Sequence, residues 1–162
     1  MKGKVFLVGD NIDTDVIAPG GYLNSIQQLK EHCMEGVYPG LSKKVEHGDV
    51  LIVGKNFKCG SSREQTVIIL KELGFGLILA KSFARIFFRN AVNQALPLGI
   101  ADVASVVKDG ELIEYSINNR TLSLRDGRII TFAGLQGPLK EIFQAEGLIN
   151  FVKKKLALQT EL

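Results

Sequence analysis

Short apolar runs punctuate the first half of the chain and predict its strands. The runs at residues 4–8, 50–53 and 77–80 have strand length. The last two are apolar throughout, as expected of strands buried on both faces of a sheet. Apolar positions at helical spacing follow each of them, from Ser61 to Leu73 and from Ser82 to the residues before Pro97. Strand–helix–strand–helix order with short connections predicts a parallel α/β unit.

The pattern changes to short strands in the last third of the chain. Asp109-Gly110 and Asp126-Gly127 each separate two short runs rich in apolar residues, which predicts two β-hairpins. Helical segments are predicted over residues 24–35, 138–145 and 148–156. The expected fold is one α/β domain spanning residues 1–162, with a mixed sheet that joins a parallel βαβα unit to C-terminal antiparallel hairpins.

Composition excludes several functional classes. The chain has 162 residues, 46% hydrophobic and 23% charged, which is ordinary for a globular protein. A net charge of +3 is too small to indicate a nucleic-acid partner. The sequence shows no signal-peptide pattern and no apolar stretch of membrane-spanning length, so we expect a cytoplasmic protein. Two cysteines, Cys33 and Cys59, cannot hold an iron–sulfur or zinc site alone, since such sites usually take four ligands.

The segment from Gly60 to Glu64 has two interpretations. Ser61 followed by Glu64 three residues later is the pattern of a helix capping box, which requires no function. The same segment places two hydroxyl groups and the Arg63 guanidinium beyond the end of a strand, where an acidic small molecule would bind. It fits neither a phosphate-binding loop nor a nucleophile elbow.

The acidic segment that follows the first strand does not have the pattern of a metal site. Asn11, Asp13 and Asp15 alternate as in a calcium loop, but the loop's required glycine is Val16 and its last glutamate is Tyr22. We therefore expect short polar turns in this segment and no metal ligands.

Three blocks of sequence, taken together, resemble the small subunits of isopropylmalate dehydratase, in the aconitase superfamily. They are residues 9–19 (GDNIDTDVIAP), residues 54–64 (GKNFKCGSSRE) and residues 81–90 (KSFARIFFRN). The blocks occur in the family's order and at similar distances. The length of the chain is that of a free-standing small subunit.

This resemblance implies a three-layer β/β/α swivelling domain of aconitase type that works with a separate large subunit. The large subunit would bind a 4Fe–4S cluster through its own cysteines, and this chain would complete the active site. The implied reaction dehydrates a small hydroxy-dicarboxylic acid and rehydrates the alkene, as in leucine biosynthesis. Self-association of the isolated chain and the subunit stoichiometry are left open by the sequence.

The resemblance also implies roles for individual residues. Ser61 matches the family's catalytic base, which removes a proton beside a carboxylate. Ser62 and Arg63 match positions that bind the substrate carboxylate. Asp15 matches an active-site aspartate that orients an arginine or histidine across the subunit interface. Cys59 matches a cysteine that is not a cluster ligand.

A further segment, made up of Tyr22, Leu23, Asn24 and Ser25, matches the loop that selects the substrate. An arginine there suits the extra carboxylate of homoaconitase substrates, and an apolar residue suits a branched alkyl group. Asn24-Ser25 is neither, which disfavours homoaconitase activity and leaves isopropylmalate and a methyl- or dimethylmalate as expected substrates. A binding module of the same fold without catalytic activity is the remaining alternative.

Overall fold

A computed structural model describes residues 1–60 and 63–160, with side chains to residue 157. The strands are β1 (Lys2–Leu7), β2 (Val50–Val53), β3 (Leu77–Ala80), β4 (Leu98–Ile100), β5 (Leu112–Ser116), β6 (Thr121–Ser123) and β7 (Ile129–Thr131). The helices are α1 (Thr14–Ile17), α2 (Ile26–Glu31), α3 (Leu41–Lys44), α4 (Gln65–Glu72), α5 (Arg85–Asn93), α6 (Pro138–Gln144) and α7 (Leu148–Thr160), with a 3₁₀ turn at Gly20–Tyr22.

The strands form one seven-stranded sheet in the order β4-β3-β2-β1-β5-β6-β7. The first four are mutually parallel, with Val5 beside Val50 and Val50 beside Leu77. Every residue of β2 and β3 is buried, as the continuous apolar runs predict. The remaining strands are antiparallel, so the sheet is mixed and the predicted fold class is confirmed.

One of the two predicted hairpins forms and the other does not. Strands β6 and β7 pair across Asp126-Gly127, and Gly127 has a φ of 85° that favours glycine. The prediction of a hairpin at Asp109-Gly110 is wrong, because residues 103–108 form no strand and β5 pairs with β1 instead. The Asp109 carboxylate accepts hydrogen bonds from the Leu7 amide and the Tyr38 hydroxyl, so this turn anchors the end of β1.

The helices begin later than the sequence pattern predicts. Helix α4 begins at Gln65 with Glu64 at its N-cap, so the predicted start at Ser61 is wrong. Helix α5 begins at Arg85, because the Ser82 hydroxyl accepts a hydrogen bond from the Asn56 amide instead of capping a helix. Helix α2 is shorter than the predicted span, whereas α6 and α7 form where they are expected.

The sheet curls so that its antiparallel half covers one face of its parallel half. One apolar cluster combines Ile52 and Leu79 of the parallel strands with Tyr115 and Leu122 of the antiparallel strands. A second cluster packs the helices against the opposite face, which gives three layers. The curl ends where Ile100 and Ala133 exchange backbone hydrogen bonds of 2.8 and 2.9 Å, which joins β4 to the residues after β7.

No helix in the described part of the chain is long and apolar enough to span a membrane.

Gly99→Ala tests the close packing inside the curl. A Cβ at Gly99 would overlap the Phe132 ring and lie 2.7 Å from Cδ2 of Leu79. We expect the free energy of unfolding in urea to fall by about 1–3 kcal/mol, because a packed interior resists added methyl groups. Phe132→Leu in the same chain should recover part of that loss.

Gly36→Ala is the control for this substitution, because nothing lies within 4 Å of its Cβ position. Its effect should stay within about 0.5 kcal/mol. Equal stability of the Gly99 and Gly36 variants would contradict the packing that we describe.

Candidate active site

The carboxyl ends of β1, β2 and β3 lie side by side, because these strands are parallel neighbours. The loops that leave them carry the three sequence blocks. Backbone hydrogen bonds join residues 9–14 of the first block to residues 54–59 of the second. The Asn11 amide donates to the Lys55 carbonyl (2.8 Å). The Lys58 amide donates to the Ile12 carbonyl (2.7 Å), and the Thr14 amide donates to the Cys59 carbonyl (3.0 Å). The two blocks therefore act as one unit.

The third block joins the other side of the second. The Phe57 amide donates to the Ser82 carbonyl (3.0 Å), and the Ala84 amide donates to the Phe57 carbonyl (3.1 Å). The Phe57 ring is buried between the rings of Phe83 and Phe87. The second block is thus held on both edges by backbone and underneath by aromatic packing.

Side-chain contacts fix the start of the second block. The Asp10 carboxylate accepts a hydrogen bond from the Lys55 amide (2.7 Å), so it bridges two blocks and does not simply form a local turn. A Cβ at Gly54 would overlap this carboxylate, so a larger residue there would displace it. Asn11 and Asn56, both with φ near 55°, join their side-chain amides at 3.0 Å. Left-handed backbone of this kind often marks functional loops.

Asp15 and Arg63 form an ion pair within the chain. Arg63 Nη1 donates one hydrogen bond to the Asp15 carboxylate and another to the Ala18 carbonyl oxygen, which lies 3.0 Å away. The Arg63 side chain is 26% exposed and that of Asp15 is 69% exposed. The other guanidinium nitrogens of Arg63 have no acceptor among the residues that the structure describes, so they can bind a carboxylate. Asp15 therefore orients an arginine of its own chain.

Ser61 and Ser62 lie outside the described residues, so their predicted roles stay predictions. The residues that bracket them are placed. Gly60 has a φ of 92°, and a Cβ there would meet the Thr14 hydroxyl at 3.4 Å. On the other side, the Arg63 carbonyl accepts a hydrogen bond from the Thr66 hydroxyl (2.7 Å). Gly60 and Arg63, which flank these two serines, are thus each held by a contact with a neighbouring residue.

Lys58 is a residue of this site that the sequence analysis missed. Its side chain is 2% exposed, and its φ of 59° lies in the left-handed region. Burial, and then the positive charge of Arg63, lower the pKa of its ammonium group. No feature of the sequence separates Lys58 from the surface lysines, since its burial follows from the hydrogen bonds of the loop.

The cations of this corner can bind an anionic ligand. Lys58 and Arg63 carry two positive charges. Asp15 and Asp13, the latter with its backbone paired to that of Cys59, carry two negative charges beside them. The two cations are more buried than Asp15, and a partly buried guanidinium can pair with the carboxylate of a ligand. This agrees with the acidic small molecule that the sequence predicts for this corner.

The predicted substrate-selecting segment is only partly brought to this corner. Tyr22 stacks on His32, with ring centroids 4.1 Å apart, and both line a cleft of about 390 Å³ together with Asp15. The Ser25 hydroxyl caps α2 by accepting a hydrogen bond from the Gln28 amide. Leu23 packs against the helix-side apolar cluster, and Asn24 is exposed. Tyr22 is therefore the member of this segment that shares a cleft with Asp15.

The described side chains do not fit an iron–sulfur cluster. Cys33 is buried, and burial raises the pKa of its thiol to about 12, whereas a cluster ligand must be a thiolate. No three His, Cys, Asp or Glu side chains in residues 1–60 and 63–157 come together as a metal site.

Comparison with known proteins assigns the chain to a family. Residues 10–102 match the model of the aconitase C-terminal domain. A methanogen homoaconitase small subunit from Methanocaldococcus jannaschii is 41% identical over 99% of this chain and 96% of its own length. A 3-isopropylmalate dehydratase small subunit from Halothermothrix orenii is 42% identical over 94% of this chain and 95% of its own.

Structural comparison gives the same result. A crystal structure of 3-isopropylmalate dehydratase from Methanocaldococcus jannaschii superimposes with a TM-score of 0.92 at 41% identity, covering 99% of this chain and 97% of the other. The resemblance carried by the three sequence blocks is confirmed. The matched residues 10–102 include every residue of the three blocks except Gly9. The chain therefore belongs to the aconitase C-terminal domain family.

Proposed function

We propose that this chain is the small subunit of a hydro-lyase that interconverts 2-isopropylmalate and 3-isopropylmalate in leucine biosynthesis. The observation that supports this most strongly is the orientation of Arg63 by Asp15 within the three joined loops. The relatives named as 3-isopropylmalate dehydratase small subunits match nearly the whole chain, so the proposal rests on more than the motifs.

The chain supplies a base and carboxylate contacts. Ser61 would remove the proton from the carbon beside a substrate carboxylate and return it during rehydration. Serine is a weak base unless cations and hydrogen-bond donors stabilise its anion. Lys58 and Arg63 lie in the same loop and provide positive charge for this purpose. Arg63, with Ser62, would hold the carboxylate that makes the neighbouring proton acidic.

A large subunit would complete the active site. It would hold a 4Fe–4S cluster, which acts as a Lewis acid toward the leaving hydroxyl group. The described side chains offer no such group, and the Asp15–Arg63 corner is open on one side, since Asp15 is 69% exposed. We place the enzyme in the cytoplasm, where its free cysteines would stay reduced.

Reconstitution with a cluster-bearing large subunit tests the proposed function. The complex should convert isopropylmalate, and the isolated small subunit should not. Ser61→Ala in the complex should lower kcat by at least about 10³-fold while binding of isopropylmalate is kept, because only the base is removed. Turnover and binding are measured on the same preparation.

Ser105→Ala, in an exposed turn, is the matched control and should keep wild-type turnover. The capping box is excluded, because Glu64 is the N-cap of α4, but another structural role for the serine would lower stability and leave activity intact. That result for Ser61→Ala would refute its role as base.

Asp15→Asn tests whether the carboxylate works by orienting Arg63. Loss of the ion pair should lower kcat/KM by about 10²-fold, mainly through a higher KM, because Arg63 would no longer be fixed for the substrate. Arg63→Lys should lower kcat/KM at least as much, since an ammonium group cannot bind a carboxylate through two parallel hydrogen bonds.

The matched control is Asp126→Asn, which breaks a similar exposed Asp–Arg pair with Arg128 in a distant hairpin. This variant should leave kcat/KM unchanged. Equal effects of the two aspartate substitutions would mean that Asp15 has no specific role.

Homoaconitase activity is a second candidate function, because a homoaconitase small subunit is 41% identical to this chain. A neutral amide at Asn24 cannot pair with a third carboxylate as an arginine can. We therefore expect isopropylmalate or a methylated malate to exceed homocitrate by at least about 10²-fold in kcat/KM.

Asn24→Arg should narrow that difference in the reconstituted complex, because it adds a cation beside Tyr22. Gln28→Arg, an equal charge change on the exposed face of α2, should not. Competition between the three acids measures both effects. A wild-type complex that prefers homocitrate would favour the second candidate over the first.

A further inference from the structure

A second cleft lies at the other end of the sheet from the candidate active site. Its volume is about 470 Å³, within the range of small-molecule sites. Leu98, the first residue of β4, forms part of its floor. The active-site loops leave the carboxyl ends of strands parallel to β4, so the amino end of β4 faces the opposite edge.

The lining of this cleft combines an apolar floor with positive charge. Leu98 and Phe132 are each 4% exposed and lie at its base. Arg120 and Lys140 line its walls, and neither has a carboxylate partner in the described part of the chain. No acidic residue is part of the described lining. The cleft is therefore suited to an anion that also carries hydrocarbon.

A backbone hydrogen bond holds the main chain of Arg120, and its side-chain stem lies beside Gly134. Arg120 has a φ of 57°, and its carbonyl accepts a hydrogen bond from the Phe132 amide (2.9 Å). Its stem lies against Gly134, where a Cβ would be 2.9 Å from Cδ and 3.1 Å from Cγ. Gly134 thus leaves room for the arginine to lie along the wall of the cleft.

We propose that this cleft binds a small organic carboxylate with a short hydrocarbon tail. Arg120 and Lys140 would hold the carboxylate, and the tail would cover Leu98 and Phe132. Burial of that tail gains free energy that a bare inorganic anion cannot gain. This site is separate from Arg63 and its loops, so the inference does not depend on the proposed function.

Titration of the ¹⁵N-labelled full chain with 3-methylbutanoate tests this site. Saturable shifts are expected at the amides of residues 117–120 and 134–144. Acetate, which lacks the tail, and 3-methylbutan-1-ol, which lacks the charge, should each bind at least about tenfold more weakly. Inorganic phosphate should also bind more weakly, because it has no hydrocarbon to bury.

Three variants separate the site from general charge effects. Arg120→Gln and Lys140→Gln should each weaken binding by about tenfold, whereas Lys153→Gln, an equal charge change on exposed α7, should not. Gly134→Ala should weaken binding without removing a charge, because its methyl group displaces the Arg120 stem. An unchanged spectrum outside the cleft confirms that each variant is folded.

Two results would overturn the proposal. One is equal binding of 3-methylbutanoate and acetate, which would show that only charge matters. The other is that the amide signals of the cleft shift when a large subunit is added but not when 3-methylbutanoate is added. This result would mean that the surface is a subunit contact.

Discussion

The candidate site depends on backbone hydrogen bonds that attach the loop after β2 to its neighbours on both sides. Lys58 and Thr14 contribute to one edge, and Phe57 contributes to the other. These bonds hold residues such as Lys58 in left-handed backbone that a free loop would rarely adopt. Orientation of Arg63 follows, because its partners Asp15 and Ala18 belong to the loop that is attached in this way.

The parallel half of the fold could be predicted from the sequence because its signals are local and strong. Strands β2 and β3 are continuous apolar runs, and each is followed by a helix with one apolar face. The hairpin at Asp126-Gly127 was predicted correctly for the same reason, because its turn signal is local. The partnership of Asp15 with Arg63, 48 positions apart, could not be read from any local pattern.

The remaining errors arise where a distant contact overrides a local preference. Asp109-Gly110 has the composition of a hairpin turn, but its carboxylate binds the end of β1, and β5 pairs with that strand. Ser82 has the composition of a helix cap, but its hydroxyl serves the neighbouring loop. Burial of Lys58 was missed because charge predicts exposure unless a loop encloses the side chain.

The position of β1 in the middle of the sheet has a consequence for how the chain folds. Its partners β2 and β5 are separated by about sixty residues of sequence, and Lys2 lies beside Glu114. Contacts between residues so far apart form slowly, because a long loop must close first. Until β5 pairs with β1, the backbone amides and carbonyls along one edge of β1 are unpaired and can bind a strand of another chain. Nascent chains on the ribosome therefore remain open to aggregation until the C-terminal third has been synthesised.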